Sequence, residues 1–186
     1  EIYIRDYGPT FLVNGGIKRT AMVSWNFNAW GNKYSSSLKD NDVPKLMNGY
    51  LRRPLFSADI VLEGGAIEVN GVGTVLTTES VLLNQNRNPH LDRQGIEGYL
   101  KDYLGVSNVL WLAQGLEGDD TDGHIDDLAR FVNPTTVLCA YEDDHNDVNY
   151  PILQENFKRL QRMKDQDGKL LTVVKLPMAK VESQEH

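Results

Sequence analysis

Four ionisable side chains stand at the start of similar segments of this sequence. Asp6 precedes a Tyr-Gly-Pro turn, Glu63 precedes two glycines, and His124 and Asp126 end an acidic run. Three carboxylates and one imidazole suit a planar cation, because a guanidinium pairs with carboxylates through parallel N–H donors. An imidazole beside a carboxylate can also move protons. These residue types therefore predict a site that binds a guanidinium and transfers protons.

The four side chains can converge if the segments behind them form a repeat. Each segment continues as a short apolar strand, an asparagine-led turn and a second apolar strand, with the turns at Asn14, Asn70 and Asn133. Asn-Gly and Asn-Pro between apolar runs are turn signals. A unit that recurs about every sixty residues is typical of an array of αβ units, whose heads would meet on one axis. The predicted second strands run from Ile17 to Val23, Thr74 to Thr78 and Thr136 to Tyr141.

The intervals between the hairpins carry apolar stripes with helical spacing. The predicted helices run from the candidate N-cap Asp92 to Gly105, from Pro151 to Met163 and, with a weaker pattern, from Asp42 to Leu51. Further strands are predicted at Ile2–Ile4, Asn108–Leu112 and Leu170–Leu176. The sequence thus predicts one α/β domain over residues 1–186, with unit heads near residues 6, 63 and 124 and a loose tail at 181–186.

The third head also resembles part of a metal site, because His-x-Asp pairs and aspartate clusters often bind metal ions. The calcium-loop pattern fails, since Gly118 stands where the first Asp should be and Ala129 where the final Glu should be. Glu63 and the two glycines after it could form a plain turn, and Asp6 beside Arg5 could be part of a surface ion pair. We favour a substrate site with no metal and no cofactor, and a metal-dependent hydrolase stays open as an alternative.

Composition excludes several other classes of function. The chain has 26 acidic and 19 basic residues and a net charge of −7, which argues against a protein that binds the nucleic-acid backbone. The sequence has no apolar run long enough to span a membrane, so no membrane partner is expected. Cys139 is the only cysteine, which excludes an intrachain disulfide and a cysteine-rich zinc site. A cytoplasmic location is the default prediction.

Five motifs together resemble one known family. They are Arg5–Pro9, Phe27–Gly31, Leu62–Gly65, Asn86–Pro89 and Gly118–His124. In this order and at this spacing they are similar to the agmatine deiminase family, which is grouped with bacterial-type peptidylarginine deiminases. The resemblance implies the pentein fold, an αβ-propeller of five units, of which this chain would hold about three. It also implies hydrolysis of a guanidino group to a ureido group and ammonia, without a metal or cofactor.

The resemblance also implies roles for the residues at the heads. Asp6 and Asp126 would clamp the guanidinium of the substrate, and Glu63 and His124 would transfer protons. Tyr3 stands where relatives tend to have tryptophan, so an aromatic wall beside the substrate would be retained.

The acidic residues around the third head favour a small substrate with a second positive charge. Asp120 and Asp122 are the candidates to bind a distal amine, which agmatine has and a peptide-bound arginine lacks. The predicted reaction is therefore conversion of agmatine to N-carbamoylputrescine and ammonia. A peptidylarginine deiminase and a non-catalytic guanidinium- or polyamine-binding domain stay open as alternatives. The expected partner is a small cationic guanidino substrate, and a homodimer is compatible with the family.

The nucleophile is the main departure from the family pattern. The family uses a cysteine in a glycine-rich segment near the C-terminus, and this sequence contains no such segment. Cys139 lies within an apolar strand, so we predict a buried, unreactive thiol. We therefore expect the chain to be part of a longer protein that supplies the cysteine, and the isolated chain to be inactive.

Overall fold

Three separate sheets organise the part of the chain that the structure describes. The computed structural model describes residues 2–14 and 19–179. Its strands are β1 (Thr10–Asn14), β2 (Arg19–Asn26), β3 (Leu55–Val61), β4 (Glu68–Val69), β5 (Thr74–Thr78), β6 (Asn108–Leu112), β7 (Ala129–Asn133), β8 (Thr136–Tyr141) and β9 (Thr172–Pro177). Its α-helices are α1 (Ile4–Tyr7), α2 (Ala29–Asn32), α3 (Val43–Leu51), α4 (Glu79–Leu82), α5 (Arg93–Leu104) and α6 (Tyr150–Leu160). The 3₁₀ segments cover Ser35–Asp42, Gly64–Ala66 and Ile125–Asp127.

The three sheets share one plan. In the orders β1-β2-β3, β4-β5-β6 and β7-β8-β9, an antiparallel hairpin is followed by a third strand parallel to the second. A parallel pair needs a crossover connection, and α3, α5 and α6 lie in the three connections. The predicted repeat of hairpin and helix is confirmed in the described residues.

Two of the predicted turn asparagines close their own hairpins. The Asn70 side-chain oxygen accepts hydrogen bonds from the backbone N–H groups of Val72 and Thr74, at 3.0 and 2.9 Å. Asn133 accepts in the same way from Thr135 and Thr136, at 3.0 and 2.9 Å. These local bonds explain why an Asn-led signal was enough to predict the second and third hairpins.

The predicted helices are also present, with bounds set by their caps. Asp92 accepts a hydrogen bond from the Gly95 N–H at 2.8 Å and starts α5, and Gly105 ends it in a left-handed conformation with φ 68°. Helix α6 begins just before Pro151 and ends at Leu160, before the predicted Met163. The last predicted strand is shifted, to Thr172–Pro177.

Two apolar clusters hold the units together. One lies between the first two sheets and α5, and the other lies between the third sheet and α6. Ile96 and Leu100 of α5 and Leu153 and Leu160 of α6 are fully buried. Each such side chain stabilises the fold by about 1.5–3 kcal/mol. The clusters fix where the strands end, and the unit heads follow from those ends.

The first head is helical, so the prediction of a strand over Ile2–Ile4 was wrong. One helical turn covers Ile4–Tyr7, closed by hydrogen bonds from the Asp6 N–H to the Tyr3 carbonyl and from the Gly8 N–H to the Ile4 carbonyl, both 2.9 Å. Tertiary packing overrides the strand propensity, because Tyr7 is buried in a cluster with Phe27 and Trp30. The turn directs Asp6 inward.

The third head also differs from its prediction. The segment after His124 forms a 3₁₀ turn over Ile125–Asp127, and the predicted apolar strand begins only beyond this turn, as β7 at Ala129. Two predicted features, the strand start at Ile17 and the tail at 181–186, lie outside the described residues. Strand β3 was not predicted at all. No described helix is long and apolar enough to cross a membrane.

Candidate functional site

The heads of the three units meet in space. Asp6 lies on α1, Glu63 lies just beyond β3, and His124 precedes the 3₁₀ turn that carries Asp126. Gly65 makes this approach possible, because a Cβ atom there would collide with His124 Nδ1 and Asp6 Oδ1.

His124 stands at the centre of the predicted set. Its Nδ1 atom is 3.6 Å from Asp6 Oδ1 and 3.9 Å from Asp126 Oδ1, and its Nε2 atom is 4.0 Å from Glu63 Oε2. The imidazole is only 3% exposed, and Glu63 is fully buried. The structure therefore brings together the four side chains that the sequence singled out. It places aspartates on one side of the imidazole and glutamate on the other.

Burial shifts the pKa values of all four side chains. It raises the pKa of Glu63 to about 7, although the nearby Arg87 charge acts in the opposite direction. It lowers the pKa of His124 to about 4, although the Asp126 carboxylate opposes it. It also raises the pKa values of Asp6 and Asp126. At neutral pH the imidazole is therefore neutral, and Glu63 exists in both protonation states.

Two polar atoms at the centre have no hydrogen-bond partner. Within the described residues, Glu63 Oε2 and His124 Nε2 are buried and unpaired, and they face each other. Leaving a buried polar atom unpaired costs about 1–3 kcal/mol, so such atoms need an explanation. The pair therefore offers a carboxyl and an imidazole, each with one polar atom that the protein leaves unused, at a separation of 4.0 Å that exceeds a direct hydrogen bond.

Asp6 and Asp126 are held in different ways. Asp6 Oδ2 accepts a hydrogen bond from Trp30 Nε1 and Asp6 Oδ1 accepts one from the Gly65 N–H, both at 3.0 Å. Asp126 Oδ2 is 3.8 Å from Arg5 Nε, and its side chain is 20% exposed. Asp6 is therefore a fixed carboxylate, and Asp126 is the more accessible one.

The loop before His124 is organised by Asp119, a member of the acidic run for which the sequence predicted no structural role. Asp119 Oδ1 accepts hydrogen bonds from the backbone and hydroxyl of Thr121, at 2.7 and 2.6 Å. Asp119 Oδ2 accepts from the N–H groups of Gly123 and His124, at 2.9 and 3.2 Å. These four bonds set the backbone from which the imidazole projects.

An aromatic group borders the site. Tyr3 is 51% exposed and packs edge-on against Trp30, with ring centroids 5.4 Å apart. Trp30 in turn packs edge-on against Tyr34 at 5.7 Å. Sequence reasoning identified Tyr3 but missed Trp30, which connects the aromatic group to Asp6.

Asp120 and Asp122 lie in the same loop but already have protein partners. Asp122 pairs with Lys33 Nζ and with Arg87 Nη1, both at 2.6 Å. Burial alone would raise the pKa of Asp122, but hydrogen bonds from Lys33, Asn86 and Arg87 outweigh it and lower the pKa. Asp120 Oδ2 accepts a hydrogen bond from the Tyr34 hydroxyl at 2.7 Å. Their predicted role in binding a distal amine stays a prediction.

Cys139 is a buried thiol in an apolar strand, as the sequence predicted. It lies in β8, is 1% exposed and belongs to the apolar cluster of the third unit. Burial raises the pKa of its thiol to about 12, so the thiolate is scarce at neutral pH. In the described part of the chain, no group of three or more His, Cys, Asp or Glu side chains is arranged to hold a metal ion.

Known proteins share this sequence and fold. The agmatine deiminase of Stutzerimonas stutzeri is 44% identical in an alignment 186 positions long, which covers 96% of this chain and 50% of that protein. The solved structure of Enterococcus faecalis agmatine deiminase has a TM-score of 0.90 and 40% identity over 94% of this chain and 49% of that one. A cysteine-to-serine variant of C. jejuni agmatine deiminase, solved with substrate bound, has a TM-score of 0.85 and 38% identity over 98% of this chain and 53% of that one.

The chain spans about half the length of the curated relatives it matches. Its α/β fold is similar to that of agmatine deiminase. The family model for the Porphyromonas-type peptidyl-arginine deiminases matches residues 1–186, the whole of this sequence. The chain therefore belongs to the Porphyromonas-type peptidyl-arginine deiminase family.

Proposed function

We propose that this chain supplies the guanidinium-binding and proton-transfer part of an agmatine deiminase. The full-length protein would convert agmatine and water to N-carbamoylputrescine and ammonia. The observation that carries the proposal is the buried imidazole of His124, which lies between two aspartates on one side and Glu63 on the other. The agmatine deiminases among the relatives support this choice of substrate.

In this proposal, Asp6 and Asp126 bind the guanidinium. Both carboxylates face His124 Nδ1, so a cation between them would place its nitrogen atoms next to the imidazole. Two negative charges match the fork of N–H donors that a guanidinium presents. Bound substrate would also relieve the repulsion that two nearby carboxylates experience in the empty site.

Glu63 and His124 move the protons. A thiolate attacks the guanidinium carbon and forms a C–S bond. The C–N bond then breaks, and ammonia leaves with a proton from His124 Nδ1. Glu63 replaces that proton at Nε2. Water then attacks the same carbon and returns a proton to His124 Nδ1, while Nε2 returns its proton to Glu63. The C–S bond breaks to regenerate the thiolate, and the added hydroxyl loses its proton to solvent, which leaves the neutral ureido product.

A cysteine outside this chain supplies the thiolate. Cys139 is unsuitable, because it is buried and its thiol pKa is raised to about 12. The substrate-bound C. jejuni relative, which carries a cysteine-to-serine change, supports a cysteine with a role at the site. The three units of one domain described here would form part of a five-unit propeller, with the remaining units contributed by the rest of the full-length protein.

The test is an assay of the purified full-length protein with agmatine, arginine and an arginine-containing peptide. We expect equal amounts of N-carbamoylputrescine and ammonia from agmatine, and much slower turnover of the other two. His124→Ala should lower kcat by about 10²-fold or more. Faster turnover of the peptide would favour the peptidylarginine deiminase alternative. Tight agmatine binding without ammonia release would instead indicate a binding protein. A strict requirement for added metal would support the metal-dependent hydrolase.

A further inference from the structure

Arg87 is a buried charge that the proposed chemistry does not use. Its side chain is fully buried. It belongs to the motif Asn86–Pro89, to which the sequence assigned no role. Burying a guanidinium is costly unless its N–H groups are paired, so its partners indicate what it does.

Apart from the adjacent Asn86, whose Oδ1 accepts a hydrogen bond from Nη1 at 2.8 Å, the partners of Arg87 come from two unit heads. Its Nε donates to Glu63 Oε1 at 2.7 Å. Its Nη1 donates to Asp122 Oδ2 at 2.6 Å, and its Nη2 donates to the Thr121 carbonyl at 3.0 Å. One rigid guanidinium therefore joins Glu63 of the second head to the loop that leads to His124. A lysine has a single ammonium group and cannot span these positions.

The bond to Oε1 determines which oxygen of Glu63 is free. With Oε1 occupied by Arg87, Oε2 is the unpaired atom, and it faces His124 Nε2 at 4.0 Å. The same guanidinium holds the loop on the other side of that gap. Arg87 thus fixes both ends of the distance across which the proposed proton transfer occurs.

The neighbours of Arg87 make this arrangement rigid. Asn88 pairs with both the N–H and the carbonyl of Val61, at 2.9 and 2.8 Å, and so holds the end of β3 next to Glu63. Asn28 Nδ2 donates to the Asn86 carbonyl at 2.8 Å. Gly31, with φ 78°, lies so close that a Cβ atom there would collide with the side chains of Asn86 and Arg87. The motifs at 27–31 and 86–89 therefore act together to seat this arginine.

We propose that Arg87 is a positioning residue, which aligns Glu63 with His124 for proton transfer without itself touching the substrate. This inference rests on the proposed deimination. It assigns a role to a residue that lies behind the reacting groups. The charged groups that surround the Glu63–His124 pair are Asp6, Arg87, Asp119, Asp122 and Asp126.

The first test uses kinetics of the full-length protein with agmatine. Arg87→Lys keeps the positive charge but removes the planar guanidinium, whose N–H groups bind both Glu63 and the loop before His124. We therefore expect kcat to fall about 10–100-fold while KM changes less than about threefold. Arg93→Lys is the matched control, because Arg93 pairs with Glu79 in an exposed ion pair and lies away from the site. The control should keep the wild-type kcat. Unchanged kcat in Arg87→Lys, or an increase in KM alone, would overturn the proposal.

The second test does not depend on turnover. The NMR signal of the His124 ring is followed as a function of pH in the full-length wild type, Arg87→Lys and Arg87→Gln. Because the Arg87 charge lowers the pKa of His124, Arg87→Gln should raise that pKa, whereas Arg87→Lys should leave it nearly unchanged. A His124 titration that is the same in all three proteins would overturn the proposal. If the wild-type protein releases no ammonia, the deiminase proposal fails, and the comparison of the His124 titrations in the three proteins still tests the positioning role. If Arg87→Gln does not fold, the kcat of Arg87→Lys provides the test of that role.

Discussion

Replacing Asp126 by asparagine tests the guanidinium clamp with little disturbance of the fold. Asp126→Asn keeps the shape of the side chain and removes its charge. Among the described residues, Arg5 lies 3.8 Å from the Asp126 carboxylate and the neutral imidazole of His124 lies 3.9 Å from it, so no short bond is lost. Asp6→Asn is a poorer test, because Asp6 accepts hydrogen bonds from Trp30 and Gly65. An amide there would place a donor against a donor.

The expected loss can be estimated from the charge pair. Breaking a buried pair between a guanidinium and a carboxylate costs about 3–5 kcal/mol. Since about 1.4 kcal/mol corresponds to a factor of ten, kcat/KM for agmatine should fall by two to three or more decades. Stability should not fall. Burial raises the pKa of Asp126, so its ionised form destabilises the empty folded site at neutral pH, and asparagine removes that cost.

The assay is ammonia release by the full-length protein over a range of agmatine concentrations, together with the melting temperature. Asp127→Asn is the matched control, because Asp127 is the adjacent aspartate and is exposed. The control should keep kcat/KM within about threefold. A near-normal kcat/KM in Asp126→Asn, with a lowered melting temperature, would show that Asp126 holds the fold and that the clamp is misplaced.

Three further predictions address the same site. Gly65→Ala should lower kcat for agmatine by about 10²-fold or more, because its Cβ atom would displace His124 and Asp6, whereas Gly98→Ala, which has open space around it, should not. Burial raises the pKa of Glu63 from 4.5 to about 7, so the folded state holds this proton more tightly than the unfolded chain does, and ionisation of Glu63 lowers stability as pH rises. Between pH 4.5 and pH 7.5, the free energy of unfolding of the wild type, measured with denaturant, should fall by up to about 3 kcal/mol relative to that of Glu63→Gln. The same pH dependence in both proteins would refute this prediction. Cys139→Ala should keep kcat within about threefold, and complete loss of turnover with an intact fold would make Cys139 the nucleophile.

The sequence predicted those parts of the fold that local signals determine. The cap at Asp92, the stop at Gly105 and the asparagine turns at Asn70 and Asn133 each act through bonds to nearby backbone, so their residue types were informative. The helical turn over Ile4–Tyr7 could not be predicted in this way. Its formation depends on burial of Tyr7 beside Trp30, which lies in a distant part of the sequence.

The same distinction applies to the candidate site. The sequence could identify the four candidate residues because they lie at the heads of the three repeated units: Asp6, Glu63, and the pair His124 and Asp126. Arg87 could not, because nothing in the sequence distinguishes a buried arginine from an exposed one. The motif around it was visible as part of the family resemblance, and its role became evident only from the bonds to Glu63 and to the loop before His124.

The acidic run before His124 illustrates a further limit. As a sequence it is a surplus of negative charge, which suggested carboxylates free to bind an amine. In the structure, Asp119 organises the loop backbone, and Asp122 pairs with Lys33 and Arg87. Composition gives the total charge, but only the fold determines which carboxylates already have partners.

The most direct measurement is a crystal structure of the full-length protein with its cysteine nucleophile replaced and agmatine bound. We predict that the guanidinium lies between Asp6 and Asp126, with nitrogen atoms within about 3 Å of both carboxylates and next to His124. An ordered guanidinium that contacts neither aspartate, or agmatine bound at another place on the protein, would contradict the proposed site.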